Sequence, residues 1–221
     1  MSRNKLARFR ENALNKNVVE IGKPNFGKLS GKWRSDHFEN EQELIVELGC
    51  GKGEYTIGLG QVFPEKNYIG VDIKGSRIWV GSKRAIRENM ENVAFLRTQI
   101  EMIEEHFAKN ELDEIWITFP DPRPKDRDEK RRLTAPKFME VYKSLLKDDG
   151  WLKFKTDNTP LFEYTLELIK QGEVKVKNME YTFDLYESDL MQEHHGVRTK
   201  YEQLFFDKGE RIKYLKFQFT N

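Results

Sequence analysis

The sequence predicts an α/β fold: a seven-stranded, mostly parallel sheet with an antiparallel hairpin at one edge. Three observations lead there. Short apolar runs alternate with longer amphipathic stretches across positions 44–171, the rhythm of strand–helix units. The first of these runs, Leu44–Leu48, passes directly into Gly49-Cys50-Gly51-Lys52-Gly53. The chain then closes on two strand-like segments, Glu173–Phe183, which alternates in part, and Arg211–Phe219, which alternates clearly.

The elements follow in order. Residues 1–40 read as a basic arm ahead of a domain spanning 41–221. Residues 1–34 hold nine Lys/Arg against Glu11 and Glu20, an asymmetry that fits a nucleic acid or another polyanion. A short helix near Lys5–Asn15 is expected, after which Gly22, Pro24, Gly27 and Gly31 break regular structure. The arm reads equally as a frayed terminus or as an RNA-binding segment that orders on contact.

Leu44–Leu48 is apolar enough to be buried on both faces, and a helix from Glu54 to Phe63 follows the glycine turn. Strand, glycine turn and helix open a nucleotide-binding βαβ unit, whose glycines let a ligand approach the backbone. Tyr68–Ile73 is the second strand. Its Asp72 lies 21 residues after Gly51, where an acid can bind the ribose hydroxyls of an adenosine ligand. The turn departs from the dinucleotide pattern, because Glu54 stands where a third glycine belongs. Glu47 sits just before the turn and would repel a pyrophosphate. S-adenosylmethionine has no phosphate and carries a sulfonium and an ammonium, so Glu47, Gly49, Gly51 and Asp72 favour it over a nicotinamide dinucleotide.

Residues 75–89 form a helix with Ile78, Trp79, Ala85 and Ile86 on its buried face. Val93–Leu96 is the third strand. Gln99 follows it, placed to hydrogen-bond an adenine or to serve as an ordinary turn residue. A short helix over 101–108 leads to strand four, Glu114–Phe119. Here the chain turns abruptly into Pro120, Pro122 and Pro124, with Asp121 between the first two. Proline fixes φ and removes an amide donor, so this is a stiffened loop at a strand's carboxyl end, where open α/β sheets bind ligands. Lys125, Arg127, Lys130, Arg131 and Arg132 follow. One carboxylate on a rigid loop beside a cationic cluster points to chemistry on a phosphate-bearing polymer; the alternative is a solvated charged turn. Pro136–Lys147 is a helix, and Trp151–Thr156 the fifth strand. Asp157 then stands beside the site or caps the helix over Leu161–Gln171. Residues 184–198 form a polar loop, in which His194 and His195 show no zinc-ligand spacing. A short helix starts near Thr199 and ends at Gly209.

At 221 residues, with 38% hydrophobic and 12% aromatic content, the chain can bury a substantial core. Cys50 is the single cysteine, so no intrachain disulfide can form. With neither a signal peptide nor a long apolar segment, a cytoplasmic protein is expected, with no membrane partner and no metal. Oligomeric state is not legible.

Three segments together resemble the bacterial tRNA (guanine-N7-)-methyltransferases. They are Glu47-Leu-Gly-Cys-Gly-Lys-Gly53; Phe119-Pro-Asp-Pro-Arg-Pro-Lys125 with Arg131-Arg132-Leu133; and Thr156-Asp157 with Thr199-Lys200-Tyr201-Glu202. The resemblance spans about residues 40–220. It implies a Rossmann-like class I S-adenosylmethionine-dependent methyltransferase acting on N7 of the variable-loop guanosine of tRNA, position 46 in the usual tRNA numbering. It implies cofactor contacts at Glu47, Asp72, Gln99 and Asp121; Asp121, held by its prolines, is also read here as the catalytic group, accepting from the guanine N1–H and exocyclic amine. It implies substrate contacts at Lys125, Asp157, Thr199, Lys200, Tyr201 and Glu202, and RNA contacts at Arg127, Lys130, Arg131 and Arg132. Two positions depart from the family pattern: tryptophan is common where Arg123 stands, and aspartate where Gln99 stands. Rival readings are a methyltransferase of this fold with another acceptor, which would not need the cationic loop, and a non-catalytic RNA-binding module, which would not need Glu47, Asp72 and Asp121.

Overall fold

The computed structural model describes residues 3–220. Its centre is an eight-stranded sheet in the order β1-β4-β3-β2-β5-β6-β8-β7. Strands β2 (Leu44–Leu48), β3 (Asn67–Val71), β4 (Val93–Leu96), β5 (Leu112–Thr118) and β6 (Leu146–Thr156) run parallel. β8 (Lys213–Phe219) pairs antiparallel with β6, and β7 (Val176–Thr182) antiparallel with β8. The seven expected strands are all present. The eighth, β1 (Val18–Val19), adds two residues in parallel to the far side of β4.

Every residue of β2, β3 and β4 is buried, as near-continuous apolar runs covered on both faces must be. Alternation divides the core. Leu44, Val46 and Leu48 face one layer, with Ile115, Phe138, Tyr142 and Phe154. Ile45 faces the other, with Tyr55, Ile78, Phe95, Trp116 and Tyr214. Glu47 shares the Ile45 face by register. The helices are α1 (Arg3–Leu14), α2 (Glu54–Val62), α3 (Gly75–Arg87), α4 (Pro136–Leu145), α5 (Thr159–Lys170) and α6 (Lys200–Asp207). Pro136 opens α4 where a missing amide costs nothing.

The N-terminal segment is docked on the body. Asn12 donates to the Gly75 carbonyl at 2.8 Å, and the Trp79 indole donates to Glu11 at 3.1 Å. Trp33 is fully buried and donates to the His106 carbonyl at 2.8 Å. Part of the basic excess is spent internally. Arg34 pairs with Asp113 at 2.5 Å, and Lys23 donates to the Asn15 and Val18 carbonyls. Exposed Arg10, Lys16, Lys28 and Lys32 remain outward.

Strand order reverses at β2: the chain steps outward through β3 and β4, then crosses to β5 on β2's other side. The carboxyl ends of β2 and β5 therefore flank a crevice left open by diverging connections. Among the described residues no helix is long and apolar enough to cross a membrane.

Candidate active site

A cleft of about 240 Å3 opens at that reversal, lined by the β2–α2 turn, the end of β5 and the start of α6. Glu47 forms its floor. It is 4% exposed; one carboxylate oxygen accepts from the Thr118 hydroxyl at 2.5 Å, the other from the Thr56 amide at 2.9 Å and the Thr56 hydroxyl. Burial raises its pKa, and those donors oppose the rise. Above it the turn carries Gly49 and Gly51 at φ +77° and +57°. Space over Gly49 is open, with no atom within 4 Å of where a Cβ would stand. A ligand can thus approach backbone at this point. Asp72 closes the turn from β3, accepting from the Gly51 amide at 3.0 Å and the Lys74 amide at 2.7 Å. A carboxylate that takes two amides still has lone pairs for ribose hydroxyls.

Gln99 lies exposed beside a second groove of about 530 Å3 past the ends of β3 and β4. Ile73, 51% exposed, and Met102, 43% exposed, give it flat apolar walls suited to a purine. Arg97, Thr98, Glu105 and His106 give the groove a polar side, and Ile21 and Phe26, from the segment expected as an RNA arm, add to those apolar walls. Sequence reading missed them, because nothing local to residues 18–26 says that they pair beside β4. The two depressions suit the two ends of S-adenosylmethionine: carboxylates and open glycines for the amino-acid and ribose portions, apolar walls for the base.

The proline loop leaves β5 through Phe119, whose φ of +46° is unusual for an aromatic residue. Asp121 does not line the cleft floor. Its side chain is 64% exposed and is held by Arg123, through Nε at 3.2 Å and the backbone amide at 3.3 Å. Arg123 itself takes φ +48°. Arg132 braces the loop from behind, donating to the Arg123 carbonyl at 3.3 Å with its guanidinium 4.3 Å over the Tyr164 ring. It is therefore more committed to the fold than Arg127, Lys130 and Arg131, which are exposed with Lys125.

Asp157 and Asn158 divide the tasks that the sequence left open. Asn158 caps α5, accepting from the Leu161 amide at 2.9 Å. Asp157 does not line the cleft itself but is joined to its wall, accepting from the Tyr201 hydroxyl at 3.3 Å. Thr199 caps α6 by accepting from the Glu202 amide at 3.0 Å, and the Lys200 amide donates to Glu54 at 2.7 Å. Thr199, Lys200 and Tyr201 all line the cleft. Glu202 departs from expectation: it is fully buried, 2.7 Å from the equally buried Lys155, and accepts from the Tyr186 hydroxyl at 2.6 Å. It does not line the cleft, and its pair with Lys155 ties α6 to β6. Lys52, Glu54 and Arg77 also line the cleft, and the sequence reading had not placed them there. Cys50 lines it too, but burial, with Glu47 and Asp72 nearby, pushes its thiol pKa well up, so it is no nucleophile.

Comparison with known proteins bears on what this arrangement serves. Residues 41–215 match the model of a family described as putative methyltransferases. A tRNA (guanine-N(7)-)-methyltransferase of Cytophaga hutchinsonii is 45% identical over 219 residues, covering 99% of both chains. The chain belongs to this methyltransferase family. A relative of the same name from Bacteroides thetaiotaomicron is 45% identical over 99% of this chain and 86% of its own. Among solved structures, the 16S rRNA methyltransferase KamB superposes at a TM-score of 0.63 with 12% identity, covering 93% of this chain and 99% of that one. An antibiotic-related methyltransferase superposes at 0.59 with 18% identity, covering 83% and 90%. At such identities these two establish the fold alone, a class I methyltransferase. The family's cofactor is S-adenosylmethionine, and the open glycine turn between Glu47 and Asp72 fits it.

Proposed function

We propose that this chain methylates N7 of a guanosine in tRNA, the variable-loop guanosine at position 46. The observation that carries the reading is one shared edge of the sheet: a carboxylate-floored glycine cleft lies beside a proline-stiffened, cation-rich loop. When bound, S-adenosylmethionine supplies a methyl group on a positively charged sulfur. Glu47, Gly49 and Gly51 would hold its amino-acid end, Asp72 its ribose, and Gln99 its adenine between Ile73 and Met102.

Guanine N7 carries a lone pair and no proton at neutral pH, so no side chain need act as a base. The fold's task is then to hold the attacking nitrogen in line, a contribution worth up to about 7–11 kcal/mol in favourable cases. Asp121 would accept from the guanine N1–H and exocyclic amine, trading Arg123 for the base. It would thereby stabilise the positive charge that methylation leaves on the purine. The three prolines around it limit how far the carboxylate can wander. Lys125, Asp157 and the Thr199–Tyr201 turn would hold the nucleoside from the opposite side. Arg127, Lys130 and Arg131 would meet backbone phosphate.

The experiment is methyl transfer from labelled S-adenosylmethionine to an unmodified tRNA transcript, beside one whose variable-loop guanosine is adenosine. Label on the first alone supports the reading. Equal label on both overturns the target position, and no label on either, with cofactor bound, overturns the acceptor.

A further inference from the structure

Among the residues of α6, Glu202 alone is buried. The opposite face is not that of an ordinary solvated helix. Lys200, Tyr201, Leu204, Phe205 and Lys208 share it by helical spacing. Tyr201 is 46% exposed and Leu204 51%. The rings form a series: Phe119 to Tyr201 at 5.3 Å between centroids, then Tyr201 to Phe205 at 4.5 Å. The Lys208 ammonium stands 5.0 Å over the Phe205 ring. The series begins inside the cleft, since Phe119 and Tyr201 line it, and climbs out along the helix.

An exposed apolar face of this kind marks an interaction site. Its chemistry selects the partner. The face sets rings between two ammonium groups, and the acids at its borders are engaged, Asp157 by the Tyr201 hydroxyl and Asp207 by the Gln203 amide; this is the composition of a single-strand nucleic-acid platform, on which bases stack on the rings and phosphates meet the cations. It is also continuous with the cleft that receives the acceptor base. A guanosine drawn into that cleft leaves its own stack, and its neighbours lose a partner.

We propose that Phe119, Tyr201 and Phe205 form a stacking staircase for the unpaired nucleotides adjoining the acceptor guanosine, with Leu204 widening it and Lys200 and Lys208 holding their phosphates. The proposal rests on the tRNA-methyltransferase reading and extends its RNA contacts beyond the proline loop.

The test is tRNA binding to the full chain across a salt series, for wild type, Phe205→Ala, Phe205→Trp, Leu204→Glu and Lys208→Ala, with cofactor binding measured in parallel. Phe205→Ala weakens tRNA binding about tenfold while the slope of log K against log salt and the cofactor affinity stay unchanged, because stacking releases no counterion. Phe205→Trp keeps wild-type affinity. Leu204→Glu, on an exposed position that leaves folding intact, weakens binding at least as much as Phe205→Ala. Lys208→Ala lowers the salt slope by about one. Wild type that labels tRNA while Phe205→Ala and Leu204→Glu bind it within about twofold of wild type overturns the staircase and leaves the activity standing. Phe205→Trp binding as weakly as Phe205→Ala also overturns it. So does a wild-type dimer that Leu204→Glu converts to monomer with tRNA affinity intact, which would make the face a contact between copies.

Discussion

Replacing Lys155 with methionine removes half of an ion pair in which neither side chain touches water. Lys155 and Glu202 are both 0% exposed, with nitrogen and oxygen 2.7 Å apart. Burial lowers the lysine pKa, and Glu202 pulls it back up. In the variant Glu202 keeps only the Tyr186 hydroxyl and the cap of its own backbone. An uncompensated buried charge of this kind costs about 3–5 kcal/mol. At a urea slope of about 3 kcal/mol per molar, the unfolding midpoint falls by roughly 1–1.7 M. Replacing both partners, Lys155→Met with Glu202→Leu, regains most of that loss, because an apolar pair of similar volume leaves no charge to bury. Urea unfolding of wild type, both single variants and the double variant completes the cycle. Near the midpoint, the single variants also release α6, so methyl transfer fails before cofactor binding does. A Lys155→Met midpoint within about 0.3 M of wild type, or a double variant as unstable as either single one, would refute the account of Glu202 as an anchor.

Three further outcomes follow from the same geometry. In the role proposed for Asp121, Asp121→Asn keeps the loop's shape but would weaken the charge-assisted bonds to the guanine, lowering kcat by about 10- to 100-fold at saturating cofactor and tRNA; steady-state kinetics checks it. Gly53→Ala places a methyl group at φ +70°, 2.5 Å from the buried Phe95 ring, and costs about 2–4 kcal/mol, so thermal unfolding shifts down by roughly 5–10 °C. Burial lowers the pKa of His37 and of His194 to about 4, from an ordinary 6.5. The unfolded chain therefore takes up protons below pH 6.5 that the folded chain refuses until near pH 4. Stability is full above 6.5 and falls as pH drops through that window, by at most about 1.4 kcal/mol per pH unit for each histidine. Urea midpoints measured from pH 7 to 4.5 show the decline, and His194→Gln reduces its slope.

The parallel strands were legible because strands covered on both faces must be apolar throughout, and Leu44–Leu48 and Val93–Leu96 are. The glycine turn was legible because positive φ there demands glycine. What stayed hidden depends on partners distant in sequence. Val18–Val19 becomes a strand only because Phe95 and Leu96 offer it an open edge. Nine cations in the first 34 residues read as a polyanion-binding arm, yet Arg34 was spoken for by Asp113 and Lys23 by nearby carbonyls. Glu202 sits in a polar motif and so reads as a ligand contact; only Lys155, on another element, reveals it as buried. Between Asp157 and Asn158, either side chain can cap a helix, and backbone placement alone decided for Asn158. The loop's rigidity was evident from its prolines, whereas Arg123's grip on Asp121 required the turn at Arg123 itself.

The docking of the N-terminal segment also sets an order of assembly on the ribosome. Its contacts run to Gly75, Phe95, His106 and Asp113, all far downstream. The earliest residues to emerge from the exit tunnel therefore wait, unpartnered and cationic, until β4 and β5 have been synthesised. Ile21 and Phe26 join the groove beside Gln99 only then, so the walls of that groove are completed late in synthesis, after the glycine turn between β2 and α2 has been made.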